Sequence, residues 1–294
     1  MANSNHSDGA VRITLIGVGI NLVLTGLKFG VGLATGSMAL IADGIHSLSD
    51  LATDVVVLGG LRLSRRPADR SHAYGHGKFE TVATTLVALA LFAAGGWIAG
   101  EAVTALIEGQ ISIPGPIVAG VAALSVIGKE WLFRATRRVA RRLRSTSLEA
   151  NAWHHRSDAF SSVAVLVGGL AATLGFPQGD QAAAIAVALL IGWAAVGILR
   201  RALYELTEGA LSEAEQGQVA RAIATVDGVR SWHKLRTRHS GQGAFVDLHI
   251  QVNPRLSVEE SHAIASRVER VVGAALGGAA SVVVHVEPAD VVSA

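Results

Sequence analysis

Cysteine is absent from this 294-residue chain, so no disulfide or thiolate ligand is available, and any metal chemistry must use His, Asp or Glu. Charge is also scarce: Asp, Glu, Lys and Arg make up 16% of the residues against 50% hydrophobic, a balance foreign to an ordinary soluble domain of this length. Lys and Arg are missing from three connections, near Thr35 to Ser37, Glu108 to Pro116 and Gly175 to Gln181. No nucleophile–base constellation and no phosphate-binding glycine loop stands out, which argues against an enzyme. The abundant Gly and Ala suit close helix packing instead.

The apolar residues come in blocks. Charge-free runs cover Ile13 to Leu27, Thr81 to Gly100, Gly109 to Gly128, Ala159 to Gly179 and Gln181 to Leu199, and a membrane-spanning helix needs about 20 mostly apolar residues. A sixth block, Phe29 to Leu61, is interrupted at Gly36-Ser37, so a first helix is expected to end near Ala34 and a second to run from about Met38 to Leu61. No small-residue cleavage site follows the first run, which therefore reads as an uncleaved helix rather than a signal peptide. Basic residues concentrate in Arg62 to Lys78 and Lys129 to Arg144. By the positive-inside rule, both of these loops and both termini are expected in the cytoplasm. The arginine-rich run reads as an anchor for membrane-lipid headgroups, not as a nucleic-acid site.

Two matching polar quartets stand at or inside the apolar stretches, His46-Ser-Leu-Ser-Asp50 and His154-His-Arg-Ser-Asp158. On a helix, residues i and i+4 project from one face, and imidazole with carboxylate is ligand chemistry that suits zinc. Two such helices side by side would complete a tetrahedral His2Asp2 site from His46, Asp50, His154 and Asp158. Asp43, His46, Asp50 and Asp54 form one narrow stripe that must face protein or water rather than lipid. Asn21, Thr25 and Lys28 form a comparable stripe on the first helix. A single His–Asp pair is equally well read as a structural hydrogen bond between helices, but two copies at identical spacing favour metal. His155 can replace His154 after a rotation of about 100 degrees, and Arg156 is expected to snorkel or to pair with a nearby acid.

From Ser212 the pattern changes to that of a water-soluble module. An amphipathic helix about Glu213 to Thr225 precedes strands Val229 to Arg238 and Ala244 to Val252 around the turn Ser240-Gly-Gln-Gly243. A helix about Val258 to Ala275 and a strand Ser281 to Val286 complete an α-β-β-α-β order. A hairpin centred near Gly241 sets His233 opposite His249, and the two-residue strand period puts His285 and Glu287 on one face. With His262 these side chains can make one or two metal sites, since imidazole is a common zinc ligand.

The chain resembles the cation diffusion facilitators, in an arrangement close to the bacterial ferrous-iron/zinc efflux type. The likeness runs from about Arg12 to Asp290 and rests on the two quartets and on Pro67-Ala-Asp69 followed by His72 and Gly75-His76-Gly77-Lys78. It rests also on Leu235-Arg236-Thr237-Arg238 and the terminal His285-Val-Glu287-Pro288. The resemblance implies an integral protein of the bacterial inner (plasma) membrane. Residues 1–11 would be a disordered cytoplasmic N-terminus, residues 12–207 an all-α six-helix transmembrane transport domain, and residues 208–294 a cytoplasmic α+β metallochaperone-like domain. It implies a homodimer that exchanges a divalent cation for protons by alternating access.

Carried over by residue, the transport site would be His46, Asp50, His154 and Asp158, and a loop site Asp69, His72 and His76. A cytoplasmic dimer site would comprise His233, His249, His262, His285 and Glu287, and Lys78 with Glu208 would form an interlocking ion pair near the junction of the two domains. Two positions depart from the bacterial type. His46 stands where Asp is found, a set that resembles zinc exporters, and Glu287 stands where Asp is usual.

The expected cargo is Zn2+, with Fe2+, Mn2+ and Cd2+ as further candidates, serving also as structural or regulatory ion, and no organic cofactor is implied. A ligand must be deprotonated to bind metal, so metal and protons compete for the same atoms, and histidine places that competition near neutral pH. The alternative is a metal-sensing or assembly protein of the membrane that recruits partners through its tail and transports little.

Overall fold

A computed structural model describes the backbone of residues 2–64, 66–109, 115–143, 146–240, 243–278 and 280–289, with side chains throughout except at 2–11, 52–64, 143, 146–148 and 150. Six long helices come first: α1 (Ala2–Thr35), α2 (Met38–Ser64), α3 (Lys78–Glu108), α4 (Pro116–Leu143), α5 (Thr146–Thr173) and α6 (Gly179–Leu206). They are followed by α7 (Glu213–Ile223), β1 (Ser231–Ser240), β2 (Gly243–Val252), α8 (Val258–Ala275) and β3 (Ala280–Pro288). This is the expected pairing of a helical membrane region with a small α+β module. The polar segment expected to be disordered falls within the bounds of α1, its side chains outside the described residues, as is the side chain of Asp54.

Two compact units divide the chain, one made of Met1–Val55 and Leu86–Ile198, the other of Val56–Thr85 and Leu199–Ala294. The first unit has an apolar core that includes Leu40, Ile98, Val118, Val187 and Ile191. Its exterior is apolar as well, with Leu33, Leu86, Phe160, Leu189 and Trp193 exposed, whereas Lys28, Asp43, Ser125, Lys129, Asp158 and Ser162 are buried. Apolar side chains facing outward, with ionisable groups held inside, are what a bilayer selects. Among the described residues, four stretches are long and apolar enough to cross a membrane: Arg12–Thr35, Lys78–Glu108, Pro116–Arg142 and Gly179–Leu206. The two other long helices, α2 and α5, carry the quartets. At 27 and 28 residues and a rise of about 1.5 Å per residue, each is about 40 Å long.

Close packing in this unit depends on small residues. Gly36 closes α1 with φ of 70°, and the Ser37 N–H donates to the Gly32 carbonyl, the bond that lets the chain reverse into α2. The Ser37 hydroxyl then accepts from Leu40 N–H at 3.1 Å and donates to Asp180 at 2.5 Å, so a residue of α6 helps satisfy the start of α2. At the α5–α6 crossing a side chain on Gly168 would meet the Gly179 carbonyl and Ala183 Cβ at 2.5 Å, which only glycine avoids.

One expectation requires correction. The run Lys129 to Arg144, read as a loop, is helical as far as Leu143, within α4. Lys, Arg, Ala and Leu all favour helix and nothing in the run interrupts it, so loss of hydropathy marks a change of environment, not the end of the helix. The Gly109 to Gly128 run likewise becomes helical only from Pro116, a favoured first helical residue, and residues 110–114 lie outside the described residues.

In the second unit β2 lies between β1 and β3, antiparallel to β1 and parallel to β3, with α8 as the crossover. Alternate residues Val246, Leu248, Ile250 and Val252 are buried and pack with Val219 and Ile223 of α7 and Val268 and Val272 of α8. Ser212 and Ser257 each cap a helix reciprocally with the glutamate three residues on. The turn residues 241–242 of the expected hairpin lie outside the described residues.

Candidate metal centres

The first candidate centre lies in the helical unit. The backbone of α2 and α5 carries the quartets at helical spacing, and His46, Asp50 and Asp158 offer ligand atoms that all lie within 4.8 Å of one another. One oxygen of Asp50 is buried with no hydrogen-bond partner among the described residues, an orphaned acceptor of the kind a cation would satisfy. His154, the fourth expected ligand, stands apart from this group: its side chain is 53% exposed, with Nδ1 3.4 Å from Asp158 Oδ1. His155 is buried instead, its ring against the bare Gly17 of α1 and its Nδ1 without a hydrogen-bond partner among the described residues. The structure therefore assembles three of the four residues and leaves one imidazole on the same helical turn at the margin.

Two buried lysines border this centre. Lys28, a member of the expected polar stripe on α1, is fully buried with Nζ 2.9 Å from Asp43 Oδ2, and it donates to Ser47 at 2.9 Å and Ser162 at 3.1 Å. Asp43 also accepts from Ser161 at 2.6 Å and Ser162 at 2.7 Å. Three helices are thus tied by one satisfied network, which holds the ligand-bearing faces of α2 and α5 in register.

Lys129 of α4 is the residue that sequence reading misplaced. Assigned to a basic cytoplasmic run, it is 1% exposed, and its Nζ lies 2.9 Å from Asp158 Oδ2. The available signal was periodicity: Ser125, Lys129 and Thr136 fall at i, i+4 and i+11, and all three are buried. Arg156, expected to snorkel or to pair with a nearby acid, lies 3.8 Å from Glu130, and its guanidinium sits 4.7 Å from the centre of the Phe133 ring.

The second candidate centre is in the loop between α2 and α3, within the second unit. Asp69 Oδ1 accepts from the Ser71 hydroxyl at 2.7 Å and from the Ser71 and His72 amides at 2.8 Å each, a side-chain turn that fixes the loop. These bonds, the hydroxyl first, hold the Asp69 carboxyl down at about 2. Its other oxygen lies 3.4 Å from Nε2 of the buried His76, and the His72 and His76 rings are 4.5 Å apart. Asp69, His72 and His76 thus form a compact group of possible ligands. In the same unit Lys78 and Arg238 both pair with Glu208, the latter at 2.9 Å. Arg238 also lies over the Tyr74 and Phe245 rings.

The third candidate centre is on the sheet. His233 and His249 are cross-strand partners, and His249 is paired with His285, so three imidazoles stand in a row across β1, β2 and β3. A bulge follows His233, where Lys234 and Leu235 oppose one residue of β2 and Lys234 adopts φ of 52°. Glu287 joins the row: one oxygen is 2.7 Å from His249 Nδ1 and the other 3.1 Å from His233 Nε2. The bond from His249, then the nearby charges of His233, His249 and Lys234, hold the Glu287 carboxyl below its ordinary range. His285 is more distant, at 3.8 Å from Glu287, and His262 lines a neighbouring cavity of about 430 Å3 that Glu287 also borders. His233, His249 and Glu287 form the compact group, with His285 and His262 beside it.

Residues 14–207 match the family model for the cation efflux transmembrane domain, and residues 211–289 match that for the cytoplasmic domain of cation efflux proteins. The chain is similar to an uncharacterized transporter of Methanocaldococcus jannaschii, 37% identical over 85% of this chain and 88% of that protein. It is similar to metal tolerance protein 2 of Oryza sativa, 33% identical over 95% of this chain and 78% of that protein. It is similar also to the manganese efflux system protein MneS of Bacillus subtilis, 30% identical over 87% of this chain and 88% of that protein.

Proposed function

The chain belongs to the cation efflux family, whose members are membrane transporters of divalent metal cations rather than enzymes, and from that premise we propose that it is a divalent metal cation/proton antiporter that exports metal from the cytoplasm through His46, Asp50, His154 and Asp158. The observation that carries this reading is the convergence of His46, Asp50 and Asp158 within 4.8 Å across two helices, in a unit with an apolar exterior. The orphaned oxygen of Asp50 supports it.

In this mechanism Asp50 and Asp158 supply the negative charge that offsets dehydration of the cation, and His46 supplies a neutral donor. His154 completes the shell by a side-chain rotation, since it starts one turn from Asp158 on the same helix. Cation and protons compete for the same nitrogen and oxygen atoms, so protons entering from the far side displace the cation there, and a proton gradient drives export. Zinc is the cation to test first because imidazole with carboxylate is among its preferred ligand sets. Ferrous iron, manganese and cadmium follow, because selectivity depends on geometry and availability and a relative is named for manganese.

The tail serves as a second metal-binding element of a homodimer. His233, His249 and Glu287, with His285 and His262 beside them, bind a regulatory ion that holds two copies together. Asp69, His72 and His76 form an auxiliary site. The protein resides in the inner (plasma) membrane with both termini cytoplasmic.

Purified protein in liposomes tests the transport site. Asp50→Ala and Asp158→Ala are expected to abolish metal flux while the protein still inserts, whereas near-normal flux in both would overturn the assignment.

A further inference from the structure

We propose that Lys129 is a tethered counter-cation of the transport site: it weakens binding of the divalent cargo and pairs with Asp158 while the site crosses without metal, so that it sets the balance between affinity and turnover. This proposal rests on the assignment of His46, Asp50 and Asp158 to transport.

Lys129 is buried on α4, and its ammonium lies 2.9 Å from Asp158 Oδ2, so one of the two oxygens that Asp158 offers is already engaged by a positive charge. Among the described residues, the other formal charges in the cluster are those of Asp50 and Asp158. A divalent cation entering this group meets one net negative charge rather than two. The neighbouring Lys28 leaves that count unchanged, because its charge is matched by Asp43 at 2.9 Å. Lys129 and the cargo repel each other at close range in a poorly screened interior, and they compete for the same carboxylate.

A transporter needs the opposite property as well. After release, the site must return across the membrane with protons in place of its cargo, and any buried carboxylate that those protons leave uncovered is costly there. The Lys129 ammonium reaches Asp158 from a neighbouring helix and is always at hand. It stays on Asp158 Oδ2 when the cation leaves, so the metal-free site returns with Asp158 paired while protons occupy the other ligand atoms. Tight binding with slow return is the expected behaviour of a chain without this charge.

Zinc binding is measured by calorimetry in detergent on the whole chain with Asp69→Ala and His249→Ala, which remove one ligand from each of the other two clusters, and zinc flux is measured in liposomes on the chain without those two substitutions. Two neutral variants are made: Lys129→Gln, which keeps a donor toward Asp158, and Lys129→Met, which keeps only the length. Lys129→Arg retains the charge, and Asp50→Ala defines binding at the transport site by difference.

The neutral variants are expected to bind zinc about ten- to a hundredfold more tightly, a range set by a single nearby charge under partial screening. They are expected to lose net zinc flux while keeping zinc–zinc exchange, which needs no metal-free return. Lys129→Arg is expected to restore both properties. Unchanged or weaker zinc binding in the neutral variants, or an equal loss of net flux and exchange, would overturn the proposal, because a residue that merely positions Asp158 would behave that way. If Asp50→Ala binds and moves zinc like its parent, the transport-site assignment itself fails, and this inference with it.

Discussion

Replacing Lys28 or Asp43 singly should damage the protein more than replacing both. The two side chains are fully buried and 2.9 Å apart, and every donor of Lys28 has an acceptor in Asp43, Ser47 or Ser162. Lys28→Met leaves the Asp43 carboxylate with two serine hydroxyls and no counter-charge, and Asp43→Asn leaves the ammonium with neutral acceptors alone. Removing one member of a buried pair costs about 3–5 kcal/mol, because the remaining charge is neither hydrated nor compensated.

The double variant strands no charge. Methionine matches the length of lysine, and the Ser161 hydroxyl keeps its 2.8 Å bond to the Asp158 carbonyl. The double-variant cycle should therefore return a coupling of at least about 3 kcal/mol, at or above the upper end for residues in contact. The assay is reversible unfolding in mixed micelles, followed by tryptophan fluorescence. Single variants that each cost less than about 1 kcal/mol, or a double variant whose cost equals the sum, would refute the reasoning. Water would then have to reach the pair, and the network could not be what holds α2 and α5 in register.

Three further outcomes follow from the second unit. Ser212→Ala should remove about 1 kcal/mol of protection from the α7 amides in hydrogen–deuterium exchange, the usual worth of a side-chain N-cap. The Ser212 bonds hold the Glu215 carboxyl below its ordinary value of 4.5, so their contribution is present above pH 4.5 and lost as pH falls through the lower folded-state value. Ser212→Ala should flatten that acid dependence, and an unchanged acid profile would count against the capping box. His249→Ala with His285→Ala should abolish zinc-dependent dimerisation in analytical ultracentrifugation, and zinc-dependent association of the double variant would remove the tail cluster from that role.

Much of the fold was legible because the relevant signals are local. The helix expected over Val258 to Ala275 is α8 with those bounds, since an amphipathic repeat with a Ser-x-x-Glu start leaves little freedom. The reversal at Gly36-Ser37 was legible for the same reason. His233 opposite His249 was expected from a hairpin centred near Gly241, but the pairing nearest the turn, Ser240 with Gly243, is centred half a residue later, and it is the bulge at Lys234 and Leu235 that brings His233 opposite His249 rather than Ile250.

What hydropathy concealed was α4. Arginines and lysines end an apolar run without ending a helix, so the helix end near Leu143 and the burial of Lys129 both escaped a reading by composition. The quartets were legible as pairs, but their assembly was not. Whether His154 or His155 faces inward depends on how α5 is rotated against its neighbours, a tertiary choice that i, i+4 spacing leaves open.

Simultaneous recording of metal and proton movement in liposomes bears most directly on the central claim. With an imposed pH gradient and zinc as the first cation, wild-type protein should move zinc against the direction of proton flow, and proton flow should itself require zinc. Asp50→Ala should abolish both fluxes together. Zinc movement indifferent to the gradient, or proton flow indifferent to zinc and to Asp50, would contradict the account.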